Sequence, residues 1–172
     1  DVYKRQKLAG VEYMAAILLI LVLDRPLSNV YWLKVADRSI PFVGVIEHTN
    51  LVGPSHYNGN HIVYLSNYLT ADNEYYRMNS GELLDAYLPH ISKINPSFDR
   101  DWILEYHHHR IDGAQPIVGA HYSSRMPPHE TGIDNLYLAN TTQVYPEDRG
   151  TNYSVKMGRE IALKAHENLR LN

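Results

Sequence analysis

From Val11 to Leu23 the chain reads VEYMAAILLILVL and then breaks at Asp24-Arg25-Pro26. A continuous apolar run ended by turn residues predicts a buried strand. Shorter apolar stretches, Val30–Val35 and Phe42–Glu47, are bounded by Asp, Ser and Pro, and His61–Tyr68 follows the turn-forming Tyr57-Asn58-Gly59-Asn60; each reads as a strand. Periodicity then changes. Asn79 with Glu82 three residues on makes a capping-box signal, and Leu83, Leu84, Tyr87, Leu88 and Ile91 recur at threes and fours, which predicts a helix with one buried face. Strand patterns resume at Trp102–His109 and Gln115–His121. Near the end, Leu136–Ala139 reads as a short buried strand, and a polar loop leads to a helix opened by Gly150 with Val155, Ile161, Ala162 and Ala165 on one side. The expected fold class is α+β, a mixed or antiparallel sheet with packed helices, and no internal repeat or low-complexity tract interrupts it.

Composition narrows the function classes. With 172 residues, 44% of them apolar, the chain is long enough to bury a core and amounts to one domain or parts of two. A net charge of −3 without a dense Lys/Arg cluster argues against nucleic acid as a partner. There are no cysteines, so disulfides and thiolate metal sites are excluded. The run Met14–Leu23 is too short for an integral membrane span, which takes about 20 apolar residues; a cytoplasmic location is the default expectation, with peripheral membrane contact as the other. Fourteen tyrosines against two phenylalanines suit aromatic walls with polar tips, as in a pocket for a planar or sugar-like small-molecule substrate.

Three groups of residues carry candidate chemistry. Glu47, His48 and Asn50 gather an acid, a base and an amide directly after a strand, where substrate contacts are common. His107, His108 and His109 form a run in which His107, His109 and Glu105 share one face of a strand; without a defined third ligand they read as a surface or pocket-lining strand, and no metal is assigned. Tyr145 opens a charged stretch, Tyr145–Arg149, before Gly150, Thr151 and Asn152, whose place at a helix start gives positive partial charge. No residue stands out as a catalytic base.

The segment Asn135–Ala162, NLYLANTTQVYPEDRGTNYSVKMGREIA, resembles the C-terminal part of FAD-dependent oxidoreductases of the flavin amine oxidase and protoporphyrinogen oxidase superfamily. In that family a strand ending LYLAG-(D/E) precedes a loop and a helix of the type G-A-V-x-S-G-x-x-A-A. Here the strand end is Leu136-Tyr137-Leu138-Ala139-Asn140, with Asn140 in place of the usual Gly and Thr141 or Thr142 in place of the usual acid. The resemblance implies FAD as cofactor, with Asn140, Thr141 and Thr142 toward its ribityl chain and Gly150, Thr151 and Asn152 toward the N1/O2 side of the flavin. A second local likeness, Ile111–Val118 (IDGAQPIV), implies Ala114, Gln115 and Pro116 near the isoalloxazine or the substrate, and Tyr145 is placed to stack near the flavin.

Asp1–Gln6 match the in-frame translation of a transposon mosaic-end adapter used in sequencing-library preparation. They are excluded from fold reasoning. The expected organisation is then an adapter scar at 1–6, part of a substrate-binding domain at 7–127, and the C-terminal part of an FAD-binding Rossmann-like domain at 128–172. No G-x-G-x-x-G turn occurs in the chain. On this reading the intact parent is an enzyme that moves a hydride from a C–N or C–C bond to flavin, and the fragment alone does not hold FAD tightly. One alternative is a flavin-dependent sugar-nucleotide mutase, which needs an arginine pair such as Arg110 and Arg125; another is a non-catalytic module whose Tyr-rich sheet binds a ligand.

Overall fold

The computed structural model describes Arg5 and residues 8–170. Of the adapter-like residues, all but Arg5 lie outside the described residues. Two compact units emerge: Met14–Gln115, here the sheet unit, and a terminal unit made from the residues up to Tyr13 and from Pro116 on.

The sheet unit is built on five strands, β1 (Tyr13–Leu23), β2 (Trp32–Lys34), β3 (Gly44–Glu47), β4 (His61–Leu69) and β5 (Ile103–Pro116), in the order β2-β3-β4-β1-β5. Strands β1 and β4 pair antiparallel from Ala15 opposite Leu69 to Leu23 opposite His61, and β3 pairs antiparallel with both β4 and β2. Bonds from Ile117 N to Glu12 O and from Asp24 N to Trp102 O bracket β1 and β5 in the antiparallel sense. Along β1 every odd residue from Ala15 to Leu23 is buried, and Val45, Val63, Leu65 and Leu69 join them on the same face. This is the period-two pattern of a strand with one face sealed.

The seal is a helix. Among the helices α1 (Glu74–Arg77), α2 (Ser80–Ile94), α3 (Tyr122–Arg125) and α4 (Thr151–Arg170), it is α2 that presents Leu83, Leu84, Tyr87 and Ile91 to the core. Its start is fixed as expected: Asn79 Oδ1 accepts from the N–H groups of Gly81 and Glu82, and Glu82 Oε2 accepts from Asn79 N at 2.8 Å. Phe42 and Tyr87 meet with ring centroids 5.0 Å apart inside this layer.

Three sequence expectations change. The stretch Gln115–His121 is not a further strand: β5 is one long strand that ends at Pro116, and a single turn of helix begins at Tyr122. Leu136–Ala139 is no extended strand either; Tyr137 makes one isolated bridge to Glu130, and Leu136 is exposed. A buried strand needs neighbours on both sides to satisfy its backbone and cover its side chains, and here the pairing is with one side, His129 to Thr131. Helix α4 forms where expected, but Val155 is exposed; the half-buried residues are Tyr153, Ser154, Met157, Ile161, Ala165 and Asn168, a stripe rotated from the predicted one. The apolar run Met14–Leu23 is the central strand β1, and among the described residues no helix is long and apolar enough to cross a membrane.

Replacing Leu19, fully buried, by Ala is expected to destabilise the chain by about 3 kcal/mol through lost burial and the cavity left behind. Leu163→Ala, on the exposed side of α4, is expected to stay within about 0.5 kcal/mol of wild type. Urea midpoints of the two variants check the contrast.

Candidate functional site

Glu47 ends β3 with its side chain on the core side of the sheet, completely buried. Its carboxylate accepts from Leu27 N at 2.9 Å, Ser28 N at 2.7 Å and Ser28 Oγ at 2.9 Å. Asn50 Nδ2 donates to Ser28 O and Val30 O, and Glu47 N donates to Tyr31 O. Glu47 and Asn50 therefore hold the loop between β1 and β2 against the loop after β3. His48 Nε2 lies 2.6 Å from Tyr57 Oη, and its ring meets those of Tyr57 and Tyr64 edge to face.

The registers separate these residues from the other proposed substrate contacts. Glu47 pairs with Val63 and Leu23 with His61, so Glu47, His48 and Asn50 sit at the end of the sheet where β1 finishes. Ala114 and Gln115, half-buried, lie where β1 begins. The eight-residue climb from Ala15 to Leu23 puts about 25 Å between the two groups. They do not line one pocket.

The terminal unit brings a different set together. A cavity of about 380 Å³ is bounded by Glu12, Ile117, Gly119, Tyr122, Ser124 and Arg125, among others. Glu12 and Ile117 are joined through their backbones at 2.8 Å. Tyr122 is buried, its hydroxyl donates to Thr142 O at 2.6 Å, and burial raises its pKa. Arg149, the residue before Gly150, reaches Pro116 O through Nη2 at a long 3.4 Å, while its Nε is buried with no partner. This guanidinium thus keeps one buried donor unpaired next to the start of a 20-residue helix, whose N-terminus carries positive partial charge.

The proposed cofactor residues all belong to this unit. Asn140 caps a turn of 3-10 helix, Thr141–Gln143: its Oδ1 accepts from the N–H and hydroxyl of Thr142, and Gln143 Oε1 accepts from Asn140 N at 2.9 Å. Thr142 is buried, so of Asn140, Thr141 and Thr142 only Thr141 holds an exposed side chain. Gly150 O accepts from Tyr153 N and Ser154 N to open α4, and a Cβ at Gly150 would meet Asn152 Oδ1 at 2.5 Å. Thr151 and Asn152 are exposed in the first turn. Tyr145, exposed, packs its ring 5.5 Å from that of Tyr122. Sequence reasoning passed over Glu12, Tyr122, Ser124 and Arg149; the signal for Arg149 was its place directly before the helix-opening glycine.

The two arginines suited to a mutase are both exposed, and Arg125 borders the cavity above. Arg110 donates to Tyr76 O at 2.9 Å and lies over the Tyr76 ring; Arg125 donates to Ala120 O at 2.9 Å. In the histidine run, His107 lies 3.5 Å from Glu105, and among the described residues no three of His, Asp or Glu are placed to hold a metal ion.

No protein-family model matches the chain, and no curated protein matches its sequence. Solved structures do match. An oxidoreductase from Methanosarcina mazei aligns over 93% of this chain and 37% of its own, with a TM-score of 0.64 and 19% identity. Reduced UDP-galactopyranose mutase aligns over 70% of this chain and 26% of its own, with a TM-score of 0.54 and 18% identity. A candidate protoporphyrinogen oxidase from Exiguobacterium sp. 255-15 aligns over 70% and 27%, at 0.54 and 11%. The shared property is the fold. The chain spans between 26% and 37% of the length of these proteins, and its α+β architecture is that of a part of them.

Glu47→Ala strands two backbone N–H groups and a hydroxyl in the interior and is expected to cost about 3 to 4 kcal/mol, with Glu47→Gln milder because it keeps one acceptor oxygen; thermal melts of the pair check this. Burial first, then nearby positive charge, holds His90 and His108 below the ordinary value of 6.5. Their neutral forms favour the folded state, so stability is full above that value and declines as pH falls through it. His108→Gln should flatten the slope of urea midpoint against pH below neutrality.

Proposed function

We propose that this chain is part of an FAD-dependent oxidoreductase of the amine oxidase or protoporphyrinogen oxidase type, its terminal unit contributing to the FAD site and its sheet unit to substrate binding. The observation that carries the reading is the coincidence of two independent features in one unit. The segment from Leu136 to Ala162 resembles the cofactor-facing end of such enzymes, and beside it Arg149 keeps a buried Nε without a partner at the start of α4. Fold similarity to an oxidoreductase over 93% of the chain supports it.

When bound, FAD supplies the capacity to accept a hydride from a C–N or C–C bond and to be reoxidised by oxygen or another acceptor. The chain's own residues bind and bias. Gly150, Thr151 and Asn152 would present the positive end of α4 to negative charge on the cofactor, and the Arg149 guanidinium would reinforce it. Thr141, not the self-satisfied Asn140 and Thr142, is the hydroxyl suited to the ribityl chain. Pro116 and Tyr145 in the terminal unit, and Ala114 and Gln115 at the β1-start end of the sheet, are the proposed substrate or flavin neighbours. Glu47, His48 and Asn50 lie at the opposite end of the sheet and are not part of this group. The mutase reading needs an arginine pair, and Arg110 and Arg125 each spend one guanidinium nitrogen on a backbone carbonyl of the fold.

The test is expression of the longer reading frame that contains this chain. The product is expected to purify with flavin absorbance and to oxidise a small-molecule substrate. Arg149→Met in that protein should weaken FAD retention about tenfold or more, the worth of one charge-assisted hydrogen bond. A colourless product that takes up no FAD on addition overturns the reading.

A further inference from the structure

Glu47 and Asn50 do more than close a turn. By fixing Leu27, Ser28 and Val30 against the residues after β3, they make one rigid tip out of two loops, and four large apolar side chains project from it: Val30, Tyr31, Trp32 and Leu51. Trp32 is 62% exposed and Leu51 is 64% exposed. The Tyr31 and Trp32 rings meet edge to face at 6.3 Å, so the aromatic pair is held out by structure and not merely unpacked. A contiguous exposed apolar patch on a rigid frame marks an interaction surface.

Its charge says what kind. From Pro26 to Ala36 and from His48 to Ala71 the chain has no Asp or Glu, although the whole carries a net charge of −3. The carboxylate of Glu47 is buried and fully engaged, and Asp24 is paired with Arg25 at 2.8 Å. Lys34, exposed on β2 two residues from Trp32, supplies the fixed charge, and His48, His56 and His61 are the titratable groups of these segments. Two copies docking tip to tip would face Lys34 with Lys34, and the carboxylate at this end, Asp24, is already held by Arg25.

We propose that this tip docks on the surface of a bilayer that carries anionic lipid. Trp and Tyr favour the headgroup level, where an apolar ring and a polar tip are both accommodated; Leu51 and Val30 add apolar area, and Lys34 is attracted to the negative lipid surface. The proposal is independent of the flavin reading, since it uses only the far end of the sheet unit.

The experiment is co-sedimentation of the 172-residue chain with phosphatidylcholine vesicles, with and without phosphatidylglycerol, alongside tryptophan emission. Wild type is expected to pellet with the anionic vesicles, with a blue-shifted emission. Trp32→Ser combined with Leu51→Ser should lower the bound fraction about tenfold or more, since two interfacial side chains are lost. Lys34→Gln should remove the preference for phosphatidylglycerol. Circular dichroism checks that the variants are folded; if the double variant is not, protection of wild-type tryptophan from acrylamide by anionic vesicles decides, with no variant required. The proposal is overturned if wild type stays in the supernatant with both vesicles and its quenching is unchanged. It is equally overturned if the folded double variant binds as wild type does, or if that variant changes the chain's size in solution, which would make the patch a contact between copies.

Discussion

Every second side chain of β1, from Ala15 to Leu23, has to leave water on the same side, and the sheet unit follows from that requirement. The strand lies between β4 and β5, so a slip of one residue would turn five buried apolar groups outward and bring the other set in. Helix α2 matches it with Leu83, Leu84, Tyr87 and Ile91. Burial of this kind, at about 25 cal/mol per Å² of apolar surface, is the dominant favourable term for the unit. The even residues of β1, Met14 to Val22, are half-buried and also apolar, which is why the strand reads as a continuous run and not as an alternation.

Glu47 shows how a polar group can serve that same core. A carboxylate removed from water is costly unless its lone pairs are taken up, and here two backbone N–H groups and a hydroxyl take them up. The bonds cross about twenty residues of sequence, from Leu27 and Ser28 to Glu47, so one side chain fixes two loops at once. The residue type that suggested a substrate contact is also well suited to staple a loop, and the hydrogen bonds of Glu47 are those of a staple.

The terminal unit works on a smaller scale of burial. Its buried residues include Pro116, Tyr122, Pro127, Thr142, Gln143 and Val144, tied by Tyr122 Oη to Thr142 O and by Gln143 Nε2 to Pro127 O. Helix α4 has no fully buried residue along its length, and its contacts include Lys164 with Glu130 and Asn168 with Tyr137. Hydrogen bonds thus do much of the positioning around the start of α4, where the buried Nε of Arg149 has no partner.

The sequence by itself determined the local elements whose signals are complete within a few residues. The apolar run of β1, the turn before β4, the Asn79–Glu82 capping box and the opening of α4 at Gly150 all formed where chain pattern placed them, because caps and period-two burial are short-range chemistry. What only the tertiary structure decided was membership: which polar residues meet which. Glu47 and Gln115 look alike as candidates in sequence, but antiparallel registers carry them to opposite ends of one sheet. Asn140 and Thr142 look independent in sequence, but the 3-10 turn closes them on each other. Leu136–Ala139 has the composition of a strand but makes only one isolated bridge, to Glu130, and pairing, unlike propensity, is set by other segments of the chain.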